Sequence, residues 1–302
     1  MSADSQDELG PGNLMDVNVL VREFEHLRYV ADTALATAIY LSTQLHKPLL
    51  IEGHAGLGKT EVAKVLASAL ETRLIRLQCY EGLDISSAVY EWNYQKQLLA
   101  IKLQEKSEHT VEEKEKHIFS REFLLQRPLL QSIVEEDRTP VLLIDEIDRA
   151  DDAFEAFLLE LLSDYQITVP ELGTIRAKHV PYVILTSNRS RELSDALKRR
   201  CLYHWIDYPG FETEMRIVRA RLPGVEERLA RQVVHLVQAV RRLELSKPPG
   251  VAETLDCAQA ASTLGKHVLD VETVEQTMGC LVKSMEDSVA LRAAGIAGLL
   301  SE

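Results

Sequence analysis

The spacing of apolar positions changes period along this chain, and the changes divide it. From Phe24 to Leu45 apolar residues recur at helical intervals (Ala31, Leu35, Ala38, Ile39, Leu41), which predicts a helix. His46-Lys47-Pro48 ends it, and the run Leu49-Leu50-Ile51 predicts a buried strand. A glycine-rich loop from Gly53 to Thr60 leads into a second helix, Glu61 to Leu70, with Val62, Val65, Leu66 and Ala69 at helical spacing. The strand Leu74-Ile75-Arg76-Leu77 follows, ending at Cys79-Tyr80-Glu81-Gly82.

Residues 85–127 break this alternation: Tyr90, Trp92 and Tyr94 stand at the front, and a Lys/Glu-rich stretch from Lys102 to Glu122 predicts a helix, either a solvated face with i,i+4 pairs or a partner surface. Regularity returns after Pro128, with a helix (Leu129, Leu130, Ile133, Val134), the strand Val141-Leu142-Leu143-Ile144, and a helix from Phe154 to Leu162. Alternation over Gln166–Lys178 predicts a β-hairpin turning at Glu171-Leu172-Gly173. Two strands remain, Tyr182-Val183-Ile184-Leu185 and Tyr203-His204-Trp205-Ile206, before Tyr208-Pro209-Gly210 stops the pattern. From Phe211 to Leu300 the chain reads as helical, broken at Pro223-Gly224 and Lys247-Pro248-Pro249-Gly250. The expected organisation is a disordered segment at 1–20, an α/β domain at 21–209 with an insert at about 85–127 and a hairpin at about 166–178, and an α-helical lid at 210–302.

Composition narrows the function class. The 302 residues are 46% hydrophobic and 27% charged, as in globular proteins able to build a core. The net charge of −13 is the reverse of the basic footprint that a phosphate backbone needs, so nucleic-acid binding is not expected. The excess sits before Gly210; beyond it a basic cluster (Arg216, Arg219, Arg221, Arg228, Arg231, Arg241, Arg242) is expected to face the acidic side of an adjacent subunit. Cys79, Cys201, Cys257 and Cys280 form no CxxC pair, which argues against a zinc ribbon or redox motif. With no apolar run near the ~18 residues of a membrane span and no signal-peptide pattern, no integral membrane segment and a cytoplasmic location are expected.

The loop Gly53-His54-Ala55-Gly56-Leu57-Gly58-Lys59-Thr60 is a complete P-loop pattern between a strand and a helix. Its backbone N–H groups suit the phosphates of ATP, with Glu61 next in the helix and His54 at a spacer position. Lys59 would reach the β- and γ-phosphates, and the Thr60 hydroxyl would ligate Mg²⁺. The strand end Asp145-Glu146 supplies two carboxylates: Asp145 for Mg²⁺ and Glu146 to polarise the attacking water. Asn188 ends the next strand, where it can orient that water or serve as a turn former. Arg199 and Arg200 precede the last strand; an arginine fork suits the charge of a γ-phosphoryl transition state, and equally a helix C-terminus.

In this order the motifs resemble the AAA+ ATPases, a P-loop NTPase fold with a parallel sheet flanked by helices and a small all-α lid. The long insert and the hairpin before Asn188 are similar to the helix-2-insert branch, which includes the MoxR ATPases. Gln78-Cys79-Tyr80-Glu81-Gly82-Leu83-Asp84, Tyr90-Glu91-Trp92 and Pro249-Gly250-Val251-Ala252-Glu253-Thr254-Leu255-Asp256 are similar to the CoxD-like MoxR subgroup. The resemblance covers about residues 25–300. It implies that Asn188 is sensor 1, and that Arg200, with Arg199 second, is an arginine finger acting on the ATP of a neighbour in a homo-oligomeric ring, usually a hexamer. It further implies chaperone work on a metalloenzyme client, beside a partner with a von Willebrand A domain, in maturing a molybdenum hydroxylase such as carbon monoxide dehydrogenase. One departure stands out: the helix after Gly250, where many relatives carry a sensor-2 arginine, reads Val-Ala-Glu-Thr-Leu-Asp. Two other classes stay open: a nucleotide-gated assembly module with little turnover, and a DNA-directed motor, to which the basic hairpin residues Arg176 and Lys178 would belong. The insert aromatics have two open readings, a contact surface or packing onto their own domain.

Overall fold

The computed structural model describes residues 16–104 and 110–300. In chain order the helices are α1 (Val17–His26), α2 (Thr33–Leu45), α3 (Lys59–Ala69), α4 (Ile85–Ala88), α5 (Tyr94–Gln104), α6 (Val111–Ile118) and α7 (Pro128–Val134). They continue with α8 (Asp152–Asp164), α9 (Asp195–Arg200), α10 (Phe211–Arg221), α11 (Glu227–Val240), α12 (Val251–Thr263), α13 (Val271–Leu281), α14 (Met285–Ala293) and α15 (Ile296–Leu299). The strands are β1 (Leu49–Gly53), β2 (Leu74–Gln78), β3 (Tyr90–Trp92), β4 (Leu124–Gln126), β5 (Val141–Asp145), β6 (Gln166–Val169), β7 (Gly173–Arg176), β8 (Tyr182–Ser187) and β9 (Leu202–Ile206). Five of them form one parallel sheet in the order β2-β5-β8-β1-β9. Among the described residues no helix is long and apolar enough to cross a membrane.

The described residues form two compact units, one of residues 38–51 and 66–204, the other of residues 16–37, 52–65 and 205–300. In the first, every residue of β5 is buried, as a central strand covered on both faces requires. Leu50, Leu142, Ile144, Val183 and Leu185 build its core with Leu129, Leu130 and Ile133 of α7. Each such side chain contributes about 1.5–3 kcal/mol on burial. The hairpin forms where expected: β6 pairs antiparallel with β7, Val169 opposite Gly173. A second ribbon, β3 with β4, pins the insert to the core.

Within the insert the aromatic residues divide. Trp92 is buried in the core, with Tyr90 packed against it and Phe119 edge-on at 5.4 Å, whereas Tyr94 is 63% exposed. Packing therefore explains the first two and not the third. The single helix expected over Lys102–Glu122 is instead the end of α5 and a separate α6, with residues 105–109 outside the described residues. Thr110 starts α6 with a reciprocal capping box to Glu113, a local signal that opens a new helix. On α5 the side chains of Leu98, Leu99 and Leu103 lie exposed.

The second unit packs α11 against α12 and α13 through Val233, Val237, Cys257, Ala258, Val274 and Met278. Beside this core the carboxylate of Glu214, fully buried on α10, accepts Arg241 Nη1 and Nη2, both at 2.7 Å, Gln238 Nε2 at 2.6 Å and the Thr254 hydroxyl at 2.5 Å. Arg241 also donates to Pro249 O at 2.7 Å and lies over the Tyr208 ring.

Three sequence expectations change. The helix expected from Phe24 to Leu45 is two, because Arg28 turns into the left-handed region and the Asp32 carboxylate caps α2 at the Leu35 N–H. Residues 17–20, expected within the disordered 1–20 segment, open α1 under an Asp16 cap; residues 1–15 lie outside the described residues. Three further breaks divide the helical region, at Gly265 with its φ of 70°, at Val282–Ser284, where Ser284 caps α14, and at Gly295 with its φ of 82°, between α14 and α15. Five arginines of the basic cluster have partners within the chain. Arg216 pairs with Glu25, Arg219 and Arg231 with Glu227, Arg221 with Glu61 and Arg241 with Glu214, all inside this unit.

Candidate active site

The glycine loop belongs to the second unit. Gly53 closes β1 where a Cβ would lie 2.3 Å from Ile206 O, so no larger residue fits. Gly56 (φ 76°) and Gly58 (φ 79°) take left-handed conformations that favour glycine. Leu57 turns inward and is buried. Lys59 is buried as well, folded back so that Nζ donates to Gly53 O at 2.9 Å and His54 O at 2.6 Å. Thr60 and Glu61 follow in the first turn of α3. Burial works to raise Glu61, but hydrogen bonds from Lys64 and Arg221 outweigh it and hold the carboxyl below its ordinary range. His54 is more than a spacer: its ring stacks on Tyr208 at 4.9 Å and meets Trp205 edge-on.

The start of α12 lies directly against this loop. The Ala252 N–H donates to Gly56 O at 3.0 Å, and Glu253, the N3 residue, accepts from the Gly250 N–H at 2.9 Å. The helix thus meets the phosphate loop through backbone and a carboxylate, with no arginine at that point, as the sequence reads.

The acidic strand end belongs to the first unit. Asp145 is buried; its Oδ1 accepts the Thr186 hydroxyl at 2.6 Å and its Oδ2 the Arg76 guanidinium at 2.6 Å. Glu146 has left-handed backbone (φ 54°), a strain of about 1–2 kcal/mol for a residue with a side chain. Its N–H donates to Thr186 Oγ1 at 2.9 Å, which holds the turn. Three donors meet its carboxylate: Asn188 Nδ2 on Oε1 at 3.2 Å, with Gln78 Nε2 at 3.2 Å and Arg149 Nε at 2.9 Å on Oε2. Buried Asp148 ties the next strand end to this one, accepting from the Asn188 and Ser190 N–H groups and the Ser190 hydroxyl. The negative charge concentrated here shows in Cys79, whose thiol is pushed up to about 12 by burial first and then by Asp145, Asp148 and Glu146.

Asp145, Glu146 and Asn188 are thus brought together. Arg199 and Arg200 do not join them: both are exposed at the end of α9, and Arg200 donates to Leu159 O at 2.9 Å. Sequence reasoning missed Arg76, Gln78, Asp148 and Arg149. The first two were legible as the outward positions of β2, polar residues alternating with buried Ile75 and Leu77.

Comparison with known proteins bears on the class. The sequence profile of the AAA domain, dynein-related subfamily, matches residues 48–201. Among solved structures, a point mutant of Thermotoga maritima RuvB aligns with a TM-score of 0.47 at 17% identity, over 87% of this chain and 70% of that one. The T. maritima RuvB Holliday junction branch migration motor aligns at 0.45 and 17%, over 87% and 66%. A Cytophaga hutchinsonii protein provisionally described as an ATPase aligns at 0.45 and 15%, over 94% and 95%. No curated protein matches the sequence. With the profile spanning half of its 302 residues, the chain belongs to the AAA domain family, dynein-related subfamily, and is an ATP hydrolase of the AAA+ class.

Proposed function

We propose that this ATPase is of the MoxR type and uses ATP hydrolysis to remodel a protein client, as a chaperone in metallocofactor maturation of a molybdenum hydroxylase such as carbon monoxide dehydrogenase. The observation that carries the hydrolytic part is the meeting of Asn188 with Glu146 at the end of β5, beside Asp145. Glu146 takes a proton from the attacking water on its carboxylate, and Asn188 holds that carboxylate and the water in line. Backbone N–H groups of residues 53–61 bind the phosphates of ATP, and Lys59 exchanges its two loop carbonyls for phosphate oxygens. Thr60 and Asp145 would hold Mg²⁺, a role for which a buried carboxylate already facing a cation is suited. Mg²⁺, when bound, neutralises charge on the β- and γ-phosphate oxygens. Arg200, or Arg199 beside it, acts on the ATP of the next subunit in a ring, a role that the exposure of both at the end of α9 supports.

The client is a protein rather than DNA because the chain carries −13 and exposes Leu98, Leu99 and Leu103 on α5. The sequence phrases shared with the CoxD-like subgroup support the molybdoenzyme, and a von Willebrand A domain protein is the expected companion. A second reading, nucleotide-gated assembly with little turnover, draws on the three donors that engage Glu146. The test of the client is capture on the Glu146→Gln protein with ATP. A molybdoenzyme subunit is the expected catch, and recovery of unrelated proteins alone would sink the maturation role.

The contact between α12 and the phosphate loop leads to a separate expectation. A Cβ at residue 250 would lie 2.8 Å from Ala55 O and 3.0 Å from both C and O of Gly56, all of it backbone. Overpacking of about 1–3 kcal/mol must then be relieved by displacing the loop. Gly250→Ala is expected to weaken nucleotide binding by roughly tenfold in a fluorescent-nucleotide titration. Unchanged affinity would show that the loop binds phosphate without regard to α12.

A further inference from the structure

The acidic strand end holds a cation that the ATPase reaction does not call for. Arg76 lies on β2, an edge strand of the sheet, two residues before Gln78, which is in register with Asp145. Its Nη2 donates to Asp145 Oδ2 and to Gln78 Oε1, both at 2.6 Å. The Asp145 side chain is 3% exposed and that of Arg76 48%. A carboxylate so far removed from water needs a counter-charge, and a half-exposed guanidinium can supply it and still leave.

The second hydrogen bond extends the contact. Arg76 engages Oε1 of Gln78, while the Nε2 group of that amide donates to Glu146 Oε2. The same Nε2 group donates to Cys79 O at 3.4 Å. One side chain therefore joins Asp145 to the restraint on Glu146.

The geometry points to Arg76 as a positioning residue that occupies Asp145 as a counter-ion until Mg²⁺ arrives and competes with the metal for that carboxylate. This rests on the reading of Asp145 as the metal-side carboxylate. A divalent cation and a guanidinium repel each other across one oxygen, so binding of either weakens the other.

The test is a Mg²⁺ titration of the full-length protein at fixed fluorescent ADP, which reads metal binding with no turnover. Arg76→Ala and Arg76→Gln should each lower the Mg²⁺ midpoint roughly fivefold, the ceiling for a half-exposed ion pair. Two variants guard against one that fails to fold, and neither touches the core. In parallel, Asp145→Asn should abolish the Mg²⁺ dependence. If Asp145→Asn acts and both Arg76 variants keep the wild-type midpoint, the competition is refuted and the metal-side reading of Asp145 stands. If Asp145→Asn leaves the midpoint in place, that reading falls and the competition with it.

Discussion

Glu146→Gln is expected to cut steady-state ATP hydrolysis by at least roughly a hundredfold while nucleotide affinity stays within about twofold of wild type. Glutamine keeps the shape of the side chain and can still accept from Asn188 Nδ2 at one oxygen. It cannot take the proton of the attacking water, and general-base assistance of this kind is worth about 10²–10⁴ in rate. The separation matters because residues 53–61, which bind phosphate in the proposed mechanism, lie outside the acidic network. Phosphate release at saturating ATP gives the rate, and a fluorescent-nucleotide titration gives the affinity. Equal and negligible rates for wild type and variant, with ring and companion present, would remove turnover from the proposal and favour nucleotide-gated assembly.

Arg241→Ala should destabilise the second unit by about 3–5 kcal/mol, the cost of leaving a buried carboxylate without its counter-charge. Glu214 is fully buried and takes two of its hydrogen bonds from Arg241; Gln238 and Thr254 remain but carry no charge. The loss would also free the Pro249 carbonyl that Arg241 holds just before α12, so the phosphate loop should feel it as weaker nucleotide binding. Chemical denaturation followed by circular dichroism measures the first effect. A double variant, Glu214→Leu with Arg241→Met, should recover most of the stability, because the penalty lies in an unpaired buried charge and not in the absence of the pair. If the double variant is as unstable as Arg241→Ala, packing and not charge is what Arg241 provides.

The features legible in the sequence are those whose physical cause is local. The phosphate loop is one: glycines at 56 and 58 are needed because the backbone there is left-handed, and the strand before and helix after announce themselves by period. The buried strands and the hairpin turning before Gly173 are others. The helix expected over Lys102–Glu122 failed for a local reason that was available, the Thr110–Glu113 capping box inside it. The break between α1 and α2 was harder, because buried apolar residues continue through it from Phe24 to Ala31 and Leu35 while the turn depends on a single capping aspartate.

Beyond those, what the sequence by itself determined is the class of chemistry: a phosphate loop, an Asp-Glu strand end and a strand-end asparagine, in the order of an AAA+ ATPase. Only the tertiary structure decided how those groups are held. Arg76 reaches Asp145 across 69 residues, Asn188 reaches Glu146 across 42, and Arg241 reaches Glu214 across 27. It also decided that Trp92 is buried while Tyr94 is not, and that arginines expected to face another subunit are paired within their own. Hydrophobic period and turn chemistry act between near neighbours, so they can be read along the chain. A charge's partner is whichever opposite charge folding brings within hydrogen-bond reach, and that depends on strand order and register, which no spacing in the sequence records.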